Sequence, residues 1–185
     1  MLTINFSTFP TIEINRLLLR QITKDDVADL FIIRSNNEAM QFIDRPLATT
    51  ENDALDLIEL ILNKYEKNEA ITWAVCLKED AKLIGTIGFW QIDKQNYRAE
   101  IGYILNPYFH RKGLMQEAIE AIINFGFNRI NLHSIEANIN PNNVASKNIL
   151  TKNGFVQEAF FRENHYYNGK FLDSMIFSLL KDSRV

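Results

Sequence analysis

The residues His110-Arg111-Lys112-Gly113 set a basic pair and a glycine at the start of an amphipathic helix that begins near Gly113. Free backbone N–H groups and the positive end of the helix dipole make a helix start suited to an anion. Gly113 lets the backbone come close, and Arg111 and Lys112 add formal positive charge. The chemistry that fits is phosphate or pyrophosphate binding. The same residues also fit a plainer role, in which Gly113 opens the helix and the basic pair faces water. Asn142-Asn143-Val144-Ala145-Ser146 opens a second helix just after a strand. Two strand-to-helix junctions then face one end of the sheet, where open α/β sheets hold ligands beyond the carboxyl ends of their strands.

Other reactive side chains carry less. Cys76 lies in an alternating strand with no recognisable base beside it, which reads as packing. His133 and His165 are too isolated to imply metal ligation, and one cysteine with three histidines cannot assemble a Cys/His zinc framework. Tyr166-Tyr167, beside Asn168-Gly169, suit either an acceptor entrance or hairpin packing, and Phe89 and Trp90 are open to the same two readings.

The elements that must position these residues follow from period and punctuation. Arg16–Ile22 is a strand candidate. Thr23-Lys24-Asp25-Asp26 and Thr50-Glu51-Asn52-Asp53 each place an acid three residues after a hydroxyl cap, the signature of a helix start. Leu55, Ile58, Leu62 and Tyr65 form the stripe of the second helix, which is expected to run to about Lys67. Thr72–Leu77 alternates, Leu83–Ile92 and Arg98–Leu105 follow after short turns, and the three predict an antiparallel meander. Ala118, Ile119, Ile122, Ile123 and Phe127 mark the core face of the helix after Gly113. Ser134–Asn140 reads as a strand, and the next helix stops at Asn153-Gly154. Phe155–Arg162 and Phe171–Leu180 flank the tight-turn signal Asn168-Gly169 and predict a hairpin. The expected order is βααβββαβαββ, an α/β fold with a mixed, mostly antiparallel sheet and helices on both faces, forming one domain over residues 1–185.

Composition sets outer bounds. Hydrophobic residues make 46% and charged residues 23%, which is globular usage. Twenty basic against 23 acidic side chains leave a net charge of −3, which argues against a broad nucleic-acid-binding face but not against a small basic pocket. Neither a signal-peptide pattern nor a membrane-length apolar run is present. The expectation is a cytoplasmic protein that binds neither membrane nor nucleic acid directly.

Taken together, RLLLR at Arg16–Arg20, IGTIGF at Ile84–Phe89, AEIGYIL at Ala99–Leu105, HRKGLMQEA at His110–Ala118 and NPNNVASKNILTKNGF at Asn140–Phe155 resemble the GCN5-related N-acetyltransferase (GNAT) family. The likeness is strongest to its RimJ/RimL branch of ribosomal-protein N-terminal acetyltransferases. Relative to the family loop Q/R-x-x-G-x-G/A, His110 replaces Gln or Arg and Met115 replaces the small last residue. The resemblance implies acetyl-CoA as acyl donor, no metal, and a primary amine as acceptor, with a ribosomal-protein N-terminus favoured. Backbone amides of Arg111, Lys112, Gly113, Leu114, Met115 and Gln116 would take the pyrophosphate. The segment Tyr103, Ile104 and Leu105 would pair with the pantetheine arm and polarise the thioester carbonyl. Asn143 would help to hold pantetheine, and Ser146 would protonate or hydrogen-bond the departing thiolate. The tyrosine acid of another subgroup falls at Leu150 here. Glu136, similar to the glutamate of some N-terminal acetyltransferases, and Glu100, on the adjacent strand, are the two candidate bases.

An α-amino group, with a pKa of ~8 against ~10.4 for lysine, is the easier acceptor near neutrality. The rival readings are acetylation of a small amine (a polyamine, amino acid or amine antibiotic) and a noncatalytic acetyl-CoA sensor. Assembly as a homo-oligomer is compatible with all of them.

Overall fold

A computed structural model describes residues 1–6 and 8–181; Ser7 and residues 182–185, part of the expected 1–185 domain, lie outside the described residues. Eight strands form one sheet in the order β1-β2-β3-β4-β5-β6-β8-β7. They are β1 (Ile12–Glu13), β2 (Leu17–Gln21), β3 (Ile71–Leu77), β4 (Asp80–Asp93), β5 (Arg98–Leu105), β6 (Ser134–Ile139), β7 (Val156–Tyr167) and β8 (Lys170–Leu180). Every pairing is antiparallel except β5 with β6. The helices are α1 (Val27–Arg34), α2 (Asn37–Met40), α3 (Glu51–Glu66), α4 (Leu114–Asn128) and α5 (Val144–Lys152).

Strand alternation sends side chains into two cores. Ile71, Trp73 and Val75 join the core on the α4 side, together with Ile119, Ile122 and Ile123. Ala74 and Cys76, from the same strand, join Leu30, Ile33, Ala54 and Ile58 of α1 and α3 on the opposite face. Helices therefore cover both faces, as a sheet with two apolar faces requires. Full burial pushes the Cys76 thiol up to about 11, so it remains protonated and packs as a small apolar group.

The expected helix starts form as read. Asp53 accepts the Thr50 backbone N–H at 2.9 Å, and Asp26 accepts that of Thr23 at 2.8 Å. Asp26 is also held by Arg20 from β2 at 2.9 and 2.6 Å, which ties the start of α1 to the sheet. Asn168 and Gly169 both adopt positive φ (47° and 79°), as a type I′ hairpin turn requires.

Several boundaries differ from expectation. The short β1 and α2 lack a sustained period; β1 exists by pairing with Leu18 and Leu19, and α2 by the Asn36 cap on Glu38 and Ala39. β4 begins at Asp80, inside the polar stretch read as a turn, because Leu77 pairs with Asp80 across a two-residue connection. β7 continues past Arg162 to Tyr167. The polar run Arg162–His165 is accommodated as an irregularity between Phe161↔Ser174 and His165↔Leu172, with the Glu163 N–H donating to Asp173 Oδ1 at 2.8 Å.

Candidate active site

The site begins where two parallel strands part. β5 and β6 are in register only at Arg98↔Ser134, Ala99↔Ile135 and Glu100↔Glu136. Beyond Glu100, β5 stays with β4 as far as Gly85↔Leu105, while β6 follows β8 as far as Ile139↔Met175. The edge of β5 from Gly102 onward is therefore open to an added strand-like ligand. His110 secures its end: Nε2 lies 3.0 Å from the Leu105 carbonyl and donates to it, while Nδ1 lies 3.7 Å from Glu38.

At the mouth of this gap the chain turns into α4. Gly113 caps the helix with φ 76°, in the left-handed region that strains any side chain. A Cβ there would meet only Arg16 Nη2 at 3.4 Å, so dihedral preference rather than crowding selects glycine. Arg16, just before β2, braces the loop. Its Nη1 donates to the Lys112 carbonyl at 2.9 Å, and its Nε and backbone N–H hold the Glu117 carboxylate at 2.9 and 2.7 Å. The first intrahelical bond is Glu117 N–H to Gly113 O, at 3.2 Å, which leaves the N–H groups of Leu114, Met115 and Gln116 for an anion. The Lys112 ammonium lies 4.6 Å above the Tyr108 ring and 5.1 Å above Phe109, and Arg111 is exposed. The Gln116 side chain is occupied elsewhere, in a reciprocal amide pair with Asn153 at 3.0 and 3.2 Å that joins α4 to α5.

Across the gap stands the start of α5. The Asn143 side chain accepts the Ser146 N–H at 3.0 Å, a cap that spends its oxygen and leaves its amide N–H groups for a ligand. Ser146 is buried, and its Oγ lies 2.6 Å from the Tyr103 hydroxyl. Burial pushes the Tyr103 phenol up to about 12, against the opposing effect of Ser146. It therefore remains a proton donor through the neutral range. From sequence Tyr103 carries only a backbone role; the structure adds its phenol to the cavity wall, in contact with Ser146.

A cavity of about 570 Å³ opens on the α1/α3 side of the gap. Glu100, Tyr103, Ile104, Asn143 and Ser146 all line it. So do Trp90 and Asn138, and from the loops and hairpin Asp44 and His165, which face each other at 3.7 Å. Burial raises the Glu100 carboxyl above its ordinary value, while Trp90, Arg98 and the Asn138 backbone N–H pull the other way. Trp90 sits at an irregularity between Phe89 and Gln91, and its indole fits because Gly102 has no side chain; a Cβ there would lie 3.2 Å from Trp90 Cδ1.

Glu136 is placed differently. Although it is the register partner of Glu100, it forms an ion pair with Arg98 and is absent from the cavity wall. Leu105 and the Arg111–Gln116 loop also lie outside that wall.

A model of the acetyltransferase (GNAT) domain family matches residues 16–156. The N-acetyltransferase YoaA of Bacillus subtilis (strain 168), itself uncharacterized, is 34% identical over 173 residues, or 94% of this chain and 98% of its own. Ribosomal-protein-S5-alanine acetyltransferase from Vibrio fischeri superposes with a TM-score of 0.80 at 25% identity, over 94% of this chain and 97% of its own. RimL, the ribosomal L7/L12 alpha-N-protein acetyltransferase solved with coenzyme A, superposes with a TM-score of 0.85 over 94% and 99%. At 21% identity that likeness is one of fold. The chain belongs to the GNAT acetyltransferase family and is an acetyl-CoA-dependent N-acetyltransferase.

Proposed function

We propose that this chain acetylates an α-amino group at a protein N-terminus, with Glu100 as the base and the Ser146–Tyr103 pair as the acid. The observation that carries the reading is that these three groups, from two strand-to-helix systems, line one cavity where β5 and β6 part. The structural neighbour at 25% identity, a ribosomal-protein-S5-alanine acetyltransferase, supports a protein acceptor, and the lower pKa of an α-amino group supports the N-terminus over lysine.

The residues divide the work. First-turn amides of α4 hold the pyrophosphate of acetyl-CoA, with Arg111 adding charge at the mouth. The open edge of β5 at Tyr103–Leu105 aligns the pantetheine arm, and one of its N–H groups polarises the thioester carbonyl. Glu100 takes the proton released as the amine nitrogen bonds to the carbonyl carbon, directly or through one water. Ser146 supplies a proton to sulfur as the carbon–sulfur bond breaks and takes one from the Tyr103 hydroxyl. The phenolate left behind regains its proton from solvent water, and its raised pKa makes that recovery complete in the neutral range. Ion-paired to Arg98, Glu136 serves to orient the strand pair.

The test is thiol release from acetyl-CoA with lysine-free peptides carrying free or formylated N-termini, beside polyamines and amino acids. Steady turnover confined to free-N-terminus peptides supports the reading. Turnover on small amines with inert peptides overturns it.

A further inference from the structure

The far wall of the cavity carries charge that acetyl transfer does not use. Arg34, the last residue of α1, and Arg45, from the loop after α2, both line it. Arg34 is half-buried, and among the described residues its guanidinium makes no hydrogen bond or ion pair. The charged group acting on it is Arg45, a like charge; burial and Arg45 both work against the Arg34 cation.

The other charges of the wall are engaged. Lys64 sits 5.6 Å over the Trp90 ring, Asp44 faces His165, and Asp173 accepts the Glu163 N–H. An arginine does not shed its proton in a protein, so a desolvated, unmatched guanidinium beside a second cation is unfavourable until an anion arrives. Its place at a helix C-terminus favours a cation there but does not account for a second arginine beside it in the same cavity wall. The cavity is thus bipolar, with the Glu100 carboxylate toward the β5/β6 gap and an unmatched guanidinium pair made by half-buried Arg34 at the end of α1 and exposed Arg45 in the loop after α2.

We propose that the acceptor is an amine bearing a carboxylate close to the reacting nitrogen, recognised by Arg34 and Arg45 while the amine faces Glu100. This rests on the reading that the acceptor occupies this cavity. For a peptide the carboxylate is an Asp or Glu within the first few residues. Polycationic amines are disfavoured by the same pair. The planar fork of arginine matches a carboxylate bidentately, which gives the contact its selectivity.

The experiment offers each acceptor class as a matched pair: peptides with Asp or Glu at the second and third positions against Asn or Gln, and small amines with a free carboxylate against their amides. kcat/KM is measured for wild type, Arg34→Gln, Arg34→Lys and the Arg34→Gln/Arg45→Gln double variant, with thermal melting to confirm folding. Wild type is expected to favour the carboxylate member about 10-fold, the scale of one charge-assisted hydrogen bond, mostly through KM. The preference should fall toward unity in Arg34→Gln and the double variant, and be partly retained in Arg34→Lys. Equal use of both members by wild type, or a preference that survives in the folded double variant, overturns the proposal. Which class turns over reports separately on the N-terminal reading; either class contains the pair that decides this one.

Discussion

The hydroxyl of Tyr103 and Oγ of Ser146 meet at 2.6 Å across the opening between β5 and α5. Tyr103 comes from the strand whose edge is open, and Ser146 from the helix that Asn143 caps. The pair joins the two sides of the gap, and the proposed function makes it the proton source for the departing thiolate.

Ser146→Ala and Tyr103→Phe are expected to lower kcat by roughly 10²-fold each, the usual contribution of one positioned acid. Because the two act in series, the double variant should lose little more than either single one. The acetyl-CoA dissociation constant, measured by calorimetry, should change much less than kcat. Additive losses would show two independent roles, and unchanged kcat in both would remove the acid function.

At the loop, Gly113→Ala forces a side chain into φ 76° with space around it. The strain is about 1–2 kcal/mol, which for a chain of this size lowers Tm by several degrees. Because the same dihedral aims the first-turn amides, the acetyl-CoA dissociation constant should rise roughly tenfold or more. A melting shift with unchanged affinity would make Gly113 a structural cap only.

Much of this was legible from local chemistry. The capping boxes at Thr23 and Thr50, the stripe of α4 and the Asn168-Gly169 turn depend on residues within a few positions, so spacing reveals them. The glycine-led start of α4 and the Asn143–Ser146 helix start were readable for the same reason. The rest depends on distant partners. Arg16 reaches Lys112 and Glu117 from about 100 residues away, and Tyr103 meets Ser146 from 43 away. From sequence Glu136 is narrowly favoured over Glu100 as the base, by its likeness to the glutamate of some N-terminal acetyltransferases; in the sheet the two are register partners. Arg98, the register partner of Ser134, ion-pairs with Glu136 on the diagonal, and this long-range contact is the reason the proposed base is Glu100 instead. The continuation of β7 past Arg162 was hidden because a polar run reads as a loop until its irregular pairing is known.

Glu100 also links the site to stability. Its carboxyl is raised by burial, so the folded state holds this proton more tightly than the unfolded chain. The stability that goes with the protonated form is complete below the ordinary carboxylate pKa and is lost as pH rises through the raised value. Glu100→Gln, neutral throughout, should therefore melt above wild type at pH 7, with the advantage shrinking toward pH 4. A variant that melts below wild type at pH 7 would mean that the charged carboxylate is favoured by its neighbours.

The pH dependence of kcat/KM for Glu100→Gln and Glu136→Gln, on an acceptor confirmed by turnover, tests the placement of the base most directly. Glu100→Gln should lose on the order of 10²-fold at low pH, where the amine is mostly protonated. It should recover part of that loss as pH rises and solution supplies neutral amine. Glu136→Gln, which alters a carboxylate outside the cavity wall, should keep the wild-type profile once folded. A wild-type profile in Glu100→Gln, or the acid-side loss appearing in Glu136→Gln instead, would contradict the account.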